Sequence, residues 1–218
     1  MRAVIFANGN LTRPANLLTE LRSEDLIIAA DGGAHHCQAL GLTPDVLIGD
    51  LDSITKEVRE NLSRLGTQLI LYPRDKDETD LELALRFAVD HNAEEILLLG
   101  ILGGRLDQTL ANLLLLSRPE WQPAQLKVAD GSNFALLIRP GSPLTLRAQT
   151  GDIVSLIPLT RTVTGVSTEG LRWSLQDATL EFGSTLGISN ETTQEIARVE
   201  IKTGQLLAVH IEQERRKK

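Results

Sequence analysis

The chain has 218 residues, 42% of them hydrophobic, and sets 22 Lys+Arg against 29 Asp+Glu for a net charge of -7. That balance argues against nucleic acid or an anionic membrane as a partner, since both are bound through basic surface. The length suits a domain of about 140 residues with a smaller one, and the single cysteine, Cys37, permits no intrachain disulfide, so a cytoplasmic protein is expected.

The opening M-R-A-V-I-F-A-N-G-N holds an apolar run that ends at Gly9, too brief for a signal-peptide core, and is expected to be a first strand. No apolar stretch reaches the roughly 20 residues of a membrane helix. Apolar runs at 4–7, 26–30, 46–48, 68–71, 96–101 and 126–129 alternate with helical patterns. This is the signature of an α/β fold with a mostly parallel sheet and flanking helices. The clearest helix spans 79–91, with Leu81, Leu85, Ala88 and Val89 on one face and a capping box formed by Thr79 and Glu82. After Pro140 the texture changes to short alternating segments at 153–157, 170–175, 179–182, 195–201 and 206–211, separated by Gly, Pro, Thr and Asn. These predict a small all-β, sandwich-like C-terminal unit, so the expected domains are 1–139 and 140–218. The final E-R-R-K-K, 214–218, is expected to be a solvated end.

In a parallel α/β sheet, ligands bind outside the carboxyl ends of the strands, so polar residues just after the apolar runs carry the chemistry. Four loops qualify: Asp31 with Gly32 and Gly33; Asp50 and Asp52; Asp75, Asp77 and Asp80; and Gly103, Gly104, Arg105 and Asp107. If 50–52 stays extended, the carboxylates of Asp50 and Asp52 point to one side and can share a hard cation such as magnesium. The alternative is that D-x-D only closes a strand. Strand, paired glycines and helix over 99–116 leave backbone amides open to an anion at a helix start, although the same glycines could serve close packing with Asp107 as a cap. Neither the G-x-x-x-x-G-K-[ST] nor the G-x-G-x-x-G pattern is present. So many carboxylates on one edge repel one another unless a cation and basic groups compensate them. With Arg74, Lys76 and Arg105 available to phosphate oxygens, the residues are those of a metal-nucleotide phosphoryl or pyrophosphoryl transferase.

A-D-G-G-A (30–34), P-D-V-L-I-G-D-L-D-S (44–53), K-D-E-T-D (76–80) and G-G-R-L-D-Q (103–108) resemble the thiamine pyrophosphokinase family in order and spacing, as do G-L-R-W-S-L (170–175) and F-G-S-T-L-G-I-S-N-E (182–191). The resemblance implies transfer of a pyrophosphoryl group from ATP to the hydroxyethyl oxygen of thiamine, giving AMP and thiamine diphosphate. It also implies magnesium and a homodimer that shares its active sites. On this likeness 1–139 is the nucleotide- and magnesium-binding catalytic domain and 140–218 the thiamine-binding one. Carried onto this chain, Asp50, Asp52 and Asp80 hold magnesium and activate or orient the hydroxyl. Asp31, Thr79, Arg105 and Asp107 shape the nucleotide and phosphate site, with Gly32, Gly33, Lys76, Asp77, Gly103 and Gly104 from the same motifs. Gln108 stands where bacterial relatives often carry His, and Ile101 and Leu102 where small or polar residues are common.

By pattern alone Leu171, Trp173 and Leu175 alternate onto one face and belong in a β core. The resemblance instead implies that Trp173 packs on the thiamine rings, where a cationic thiazolium gains about 0.5–2 kcal/mol. Ser189 and Asn190 are either a hairpin turn or, by the same likeness, partners of the aminopyrimidine. His35, His36 and Cys37 are consecutive in a helical stretch and read as structural, as do Tyr72 and Trp121. Two rivals remain at this stage: a pyrophosphokinase for another heterocyclic alcohol, and a non-catalytic nucleotide or thiamine sensor.

Overall fold

A computed structural model describes residues 1–12 and 18–213; the basic end at 214–218 lies outside the described residues. The chain forms two compact units, Met1–Gly131 and Ser132–Lys218.

The first unit is built on β1 (Arg2–Phe6), β2 (Leu26–Ala30), β3 (Val46–Gly49), β4 (Gln68–Leu71), β5 (Glu95–Leu99) and β6 (Gln125–Asp130). These pair in parallel in the order β6-β5-β1-β2-β3-β4. The chain first steps outward from β1 to β4, then returns to the other side of β1 for β5, so the strand order reverses between β1 and β5. Such a reversal splays the connecting loops and leaves a crevice at the carboxyl ends. Continuous apolar runs suit strands covered on both faces: Ala3, Val4, Ile5 and Phe6 of β1 and Leu98 and Leu99 of β5 are fully buried.

The helices described in this unit are α1 (Gly33–Ala39), α2 (Lys56–Arg64), α3 (Asp80–Asp90) and α4 (Leu106–Leu115). In α3, Leu81, Leu83, Ala84, Leu85 and Ala88 are buried, while Val89 is only half-buried. The Thr79 hydroxyl caps this helix by accepting from the Glu82 amide at 3.2 Å. The other half of the expected box is diverted, because the Glu82 carboxylate pairs with Arg118 at 2.6 Å and Arg86 at 3.3 Å. None of the described helices is long and apolar enough to cross a membrane.

The second unit contains β7 (Asn133–Ile138), β8 (Leu144–Arg147), β9 (Ile153–Pro158), β10 (Thr162–Glu169), β11 (Ala178–Glu181), β12 (Asn190–Glu191), β13 (Ile196–Glu200) and β14 (Leu206–Ile211). Within it, β7-β14-β9-β12 and β11-β10-β13-β8 pair antiparallel. Ile138, Val154, Leu156 and Leu206 from the first set share a core with Leu146, Val163, Leu180 and Val199 from the second, as in a sandwich.

The units meet at Gly131 and Ser132, ahead of the division expected at 140, because Asn133–Ile138 takes its hydrogen-bonding partner from β14 near the far end of the chain. The expected strand over 170–175 does not form. Gly170 (φ +73) turns the chain after β10, and the Asn190 side chain takes both the amide and the carbonyl of Trp173, at 3.0 and 2.7 Å. β10 was not legible as a strand because its pairing shifts register between Val163 and Val166, breaking the alternation.

One polar cluster is sealed in this unit. Asp152 and His210 are 4% exposed. Asp152 accepts from the amides of Gln149 (2.9 Å) and Gln213 (3.0 Å) and contacts His210 Nε2 at 2.9 Å.

Candidate active site

A cleft at the carboxyl ends of the parallel strands is lined by Ala7, Asn8 and Gly9 after β1, by Gly100 and Ile101 after β5, and by the acidic loops between β2 and α3. It therefore occupies the crevice that the strand order creates.

Asp31 leaves β2 with φ +42 and is buried, its amide donating to Ile48 O at 2.9 Å. Asp50 follows β3, and Asp80 opens α3. Among the described residues these three carboxylates converge, one oxygen from each lying within 4.8 Å of the others. Asp31 Oδ1 is buried and accepts no hydrogen bond. Burial raises the Asp80 carboxyl above its ordinary range; the Lys76 ammonium opposes this, and Asp31 and Asp50 add to it. The ammonium forms an ion pair with Asp80 Oδ1 at 3.0 Å and lies 4.0 Å from Asp50 Oδ2.

Gly49 makes the convergence possible. At φ +144, a β carbon there would stand 2.9 Å from Asp80 Cγ and 3.3 Å from Asp31 Cβ. Gly49→Ala is expected to lower stability by about 1–3 kcal/mol, measured by urea unfolding, because it adds both backbone strain and a clash.

The expected partnership of Asp50 and Asp52 rested on an extended 50–52, and that premise fails. Leu51 is left-handed at φ +57, so the alternation is broken. Asp52 is exposed, faces Arg74 at 4.0 Å and lines the cleft beside the converged set rather than within it. Asp31 stands in the converged set with Asp50 and Asp80.

Thr79, Lys76, Gly103 and Arg105 also line the cleft, whereas Gly32, Gly33, Asp77, Gly104 and Asp107 do not. Gly33 answers to packing: a β carbon there would meet Phe6 O at 1.9 Å, so α1 could not lie against β1. Asp107 forks onto Arg105, at 3.1 Å to Nε and 2.6 Å to Nη2, and that pairing with Arg105 is the main cause holding its carboxyl below the usual range.

Asn8, Gly9, Gly100, Glu78 and Asn112 line the cleft without having been singled out from sequence. Asn8 follows the first apolar run just as Asp31 follows the second, so the same rule would have found it. Asn112 shares a helical face with Gln108 and Ala111, leaving Leu106, Leu110 and Leu114 on the other.

His35 and His36 contact Ser53 O (3.0 Å) and Gly9 O (2.8 Å), tying two cleft loops to α1. Cys37 is buried, which pushes its thiol up to about 12 and leaves it inert. Trp121 is buried, donating Nε1–H to Leu115 O at 2.8 Å.

Residues 17–128 match the family model described as thiamin pyrophosphokinase, catalytic domain, and 143–207 match thiamin pyrophosphokinase, vitamin B1 binding domain. The chain belongs to the thiamine pyrophosphokinase family.

It is 31% identical to the thiamine pyrophosphokinase of Bacillus subtilis (strain 168), over 82% of this chain and 85% of that one. It is 32% identical to thiamine pyrophosphokinase 1 of Oryza sativa subsp. japonica, over 90% and 82%. The solved thiamine pyrophosphokinase structure from Bacillus subtilis superposes with a TM-score of 0.86 at 26% identity, covering 98% of this chain and all (100%) of that one. The thiamin pyrophosphokinase from Geobacillus thermodenitrificans does so at 0.80 and 28%, covering 98% of each.

In the second unit, pattern alone placed Trp173 in the core, but the side chain is 54% exposed. Asn190, buried, clamps its backbone, and the Arg172 guanidinium stands 5.0 Å from the ring centroid. Ser189 turns at φ +59 and donates its amide to Ser155 Oγ at 3.0 Å.

Proposed function

We propose that the protein is a magnesium-dependent thiamine diphosphokinase that transfers the β,γ-pyrophosphoryl group of ATP to the hydroxyl of thiamine. The observation that carries this is the convergence of Asp31, Asp50 and Asp80 in the strand-end cleft of a family member. Hard, oxygen-only donors, with the buried Asp31 Oδ1 left without a hydrogen-bond partner, suit magnesium. Asp50 and Asp80, with Asp31, would hold it, and Asp52 at the rim would complete the set through water or substrate. The bound ion supplies charge neutralisation to the polyphosphate.

The chain's own residues do the rest. Lys76, Arg74 and Arg105 line the cleft and meet phosphate oxygens, with Thr79 at the N-terminus of α3. The hydroxyl oxygen of thiamine attacks the β-phosphorus, the bond to the α-phosphate oxygen breaks, and the hydroxyl proton passes to a cleft carboxylate. AMP leaves. The first unit would be the catalytic part and the second the thiamine-binding one, in which Trp173 offers its exposed face to the cationic thiazolium. Asn190 holds the backbone of that Trp, and Ser189 and Asn190 would be the partners of the aminopyrimidine. The cytoplasm is the proposed location, consistent with a lone buried thiol.

A homodimer, whose active sites the family likeness implies are shared, is supported as an association by α4, none of whose residues is buried. Leu106, Leu110 and Leu114 form a stripe on it, 73%, 53% and 50% exposed. Leu110→Lys is expected to weaken dimerisation by about 10²-fold, read by light scattering across a dilution series. A wild-type monomer at high concentration would remove the dimer from the proposal.

The defining experiment mixes the protein with ATP, magnesium and thiamine and follows AMP and thiamine diphosphate by chromatography. Equal, thiamine-dependent yields are expected. ADP as the product would mean simple phosphoryl transfer, and no turnover would point to another alcohol or to a sensor.

A further inference from the structure

Lys76 occupies an unusual place for a lysine. Long cationic side chains normally keep their heads in water, yet its side chain is 10% exposed and its Nζ sits 3.0 Å from Asp80 Oδ1 and 4.0 Å from Asp50 Oδ2. The same two carboxylates supply two of the three oxygens that converge within 4.8 Å. A magnesium ion bonded to Asp80 Oδ1 at about 2.1 Å would lie no more than about 5 Å from Nζ. Two cations that close, in a cleft screened poorly by solvent, repel strongly. The opposite extreme is no better, because three neighbouring carboxylates with no cation repel one another.

From this geometry we infer that Lys76 is an internal counter-cation: its ammonium and a divalent metal are alternative occupants of the Asp50 and Asp80 carboxylates, so the metal binds by displacing it. The inference rests on the proposed magnesium site and adds a role for a residue of this chain that the metal alone does not require. Lys76 has a flexible four-carbon stem and lies in the loop before α3, so its ammonium can leave the carboxylates without unfolding an element. Exchange leaves the carboxylates facing a cation at every stage.

The test is manganese binding to the full chain without nucleotide, read from the free-ion signal in electron paramagnetic resonance, for wild type, Lys76→Met, Lys76→Arg and Asp80→Asn. Lys76→Met is expected to bind manganese about tenfold more tightly than wild type, and Lys76→Arg, which keeps the charge, no more tightly than wild type. A lysine that merely supported the loop would give weaker or unchanged binding when removed. Unchanged or weaker binding by Lys76→Met, with binding lost in Asp80→Asn, overturns the exchange while leaving the metal site standing. No binding by any of the four proteins overturns the metal site and the exchange with it. If Lys76→Met folds poorly, Lys76→Gln carries the same comparison, and the rise in Tm on adding manganese should be larger for either neutral variant than for wild type.

Discussion

Asp80→Asn is expected to lower turnover by about 10²–10³-fold or more while leaving Tm unchanged or raised. The two effects have one cause. Asp80 is held among Asp31 and Asp50 with its carboxyl raised chiefly by burial, so the folded protein spends stability on keeping it ionised. A neutral amide of the same shape relieves that repulsion and keeps the N-terminus of α3 intact, since Thr79 still caps it. What it loses is a charged oxygen donor where the polyphosphate must be neutralised. Kinetics and calorimetry on the same preparation check this. A folded Asp80→Asn variant with wild-type turnover would remove the convergent cluster from the chemistry.

The second large effect concerns stability alone. Asp152→Ala should cost about 3–5 kcal/mol in urea unfolding, because the amides of Gln149 and Gln213 and the ring of His210 lose their common acceptor in a buried place. Burial pushes the Asp152 carboxyl up, but those two amides and His210 together outweigh it, and the net shift is below the ordinary value of 3.8. A depressed carboxylate contributes stability that is fully present above the unfolded value. That contribution is lost as pH falls through the lower folded one. Wild type should therefore lose stability on acidification below about pH 4, and Asp152→Asn, starting lower, should show a shallower acid limb. Equal acid limbs in the two proteins would assign the acid sensitivity to other carboxylates.

Much of the first unit was legible because its signals are local. A parallel strand buried on both faces must be apolar along its whole length, and a helix on that sheet must repeat at 3.6 residues. Both constraints are written in runs such as Leu26–Ala30 and in the stripe of α3. The acidic loops were found from the same grammar, since a polar residue directly after a buried strand lies at the sheet's carboxyl edge. The second unit was less legible. Its strands pair with distant partners, β10 carries a register shift, and the segment around Trp173 satisfies its backbone through the Asn190 side chain instead of a ladder.

The α/β class, the all-β second part, the cap of α3 and the set of loops that carry carboxylates follow from the order of residues alone, because hydrophobic period and turn chemistry act over a few residues. Which carboxylates meet depends on the assembled fold. The strand order brings Asn8 and Gly100 into one cleft with the acidic loops, left-handed Leu51 breaks the alternation between Asp50 and Asp52, and Gly49 lets Asp31 and Asp80 close on each other. Those choices depend on the pairing of β strands far apart in the chain and on the approach of backbones to within a β carbon's radius, neither of which any local pattern encodes.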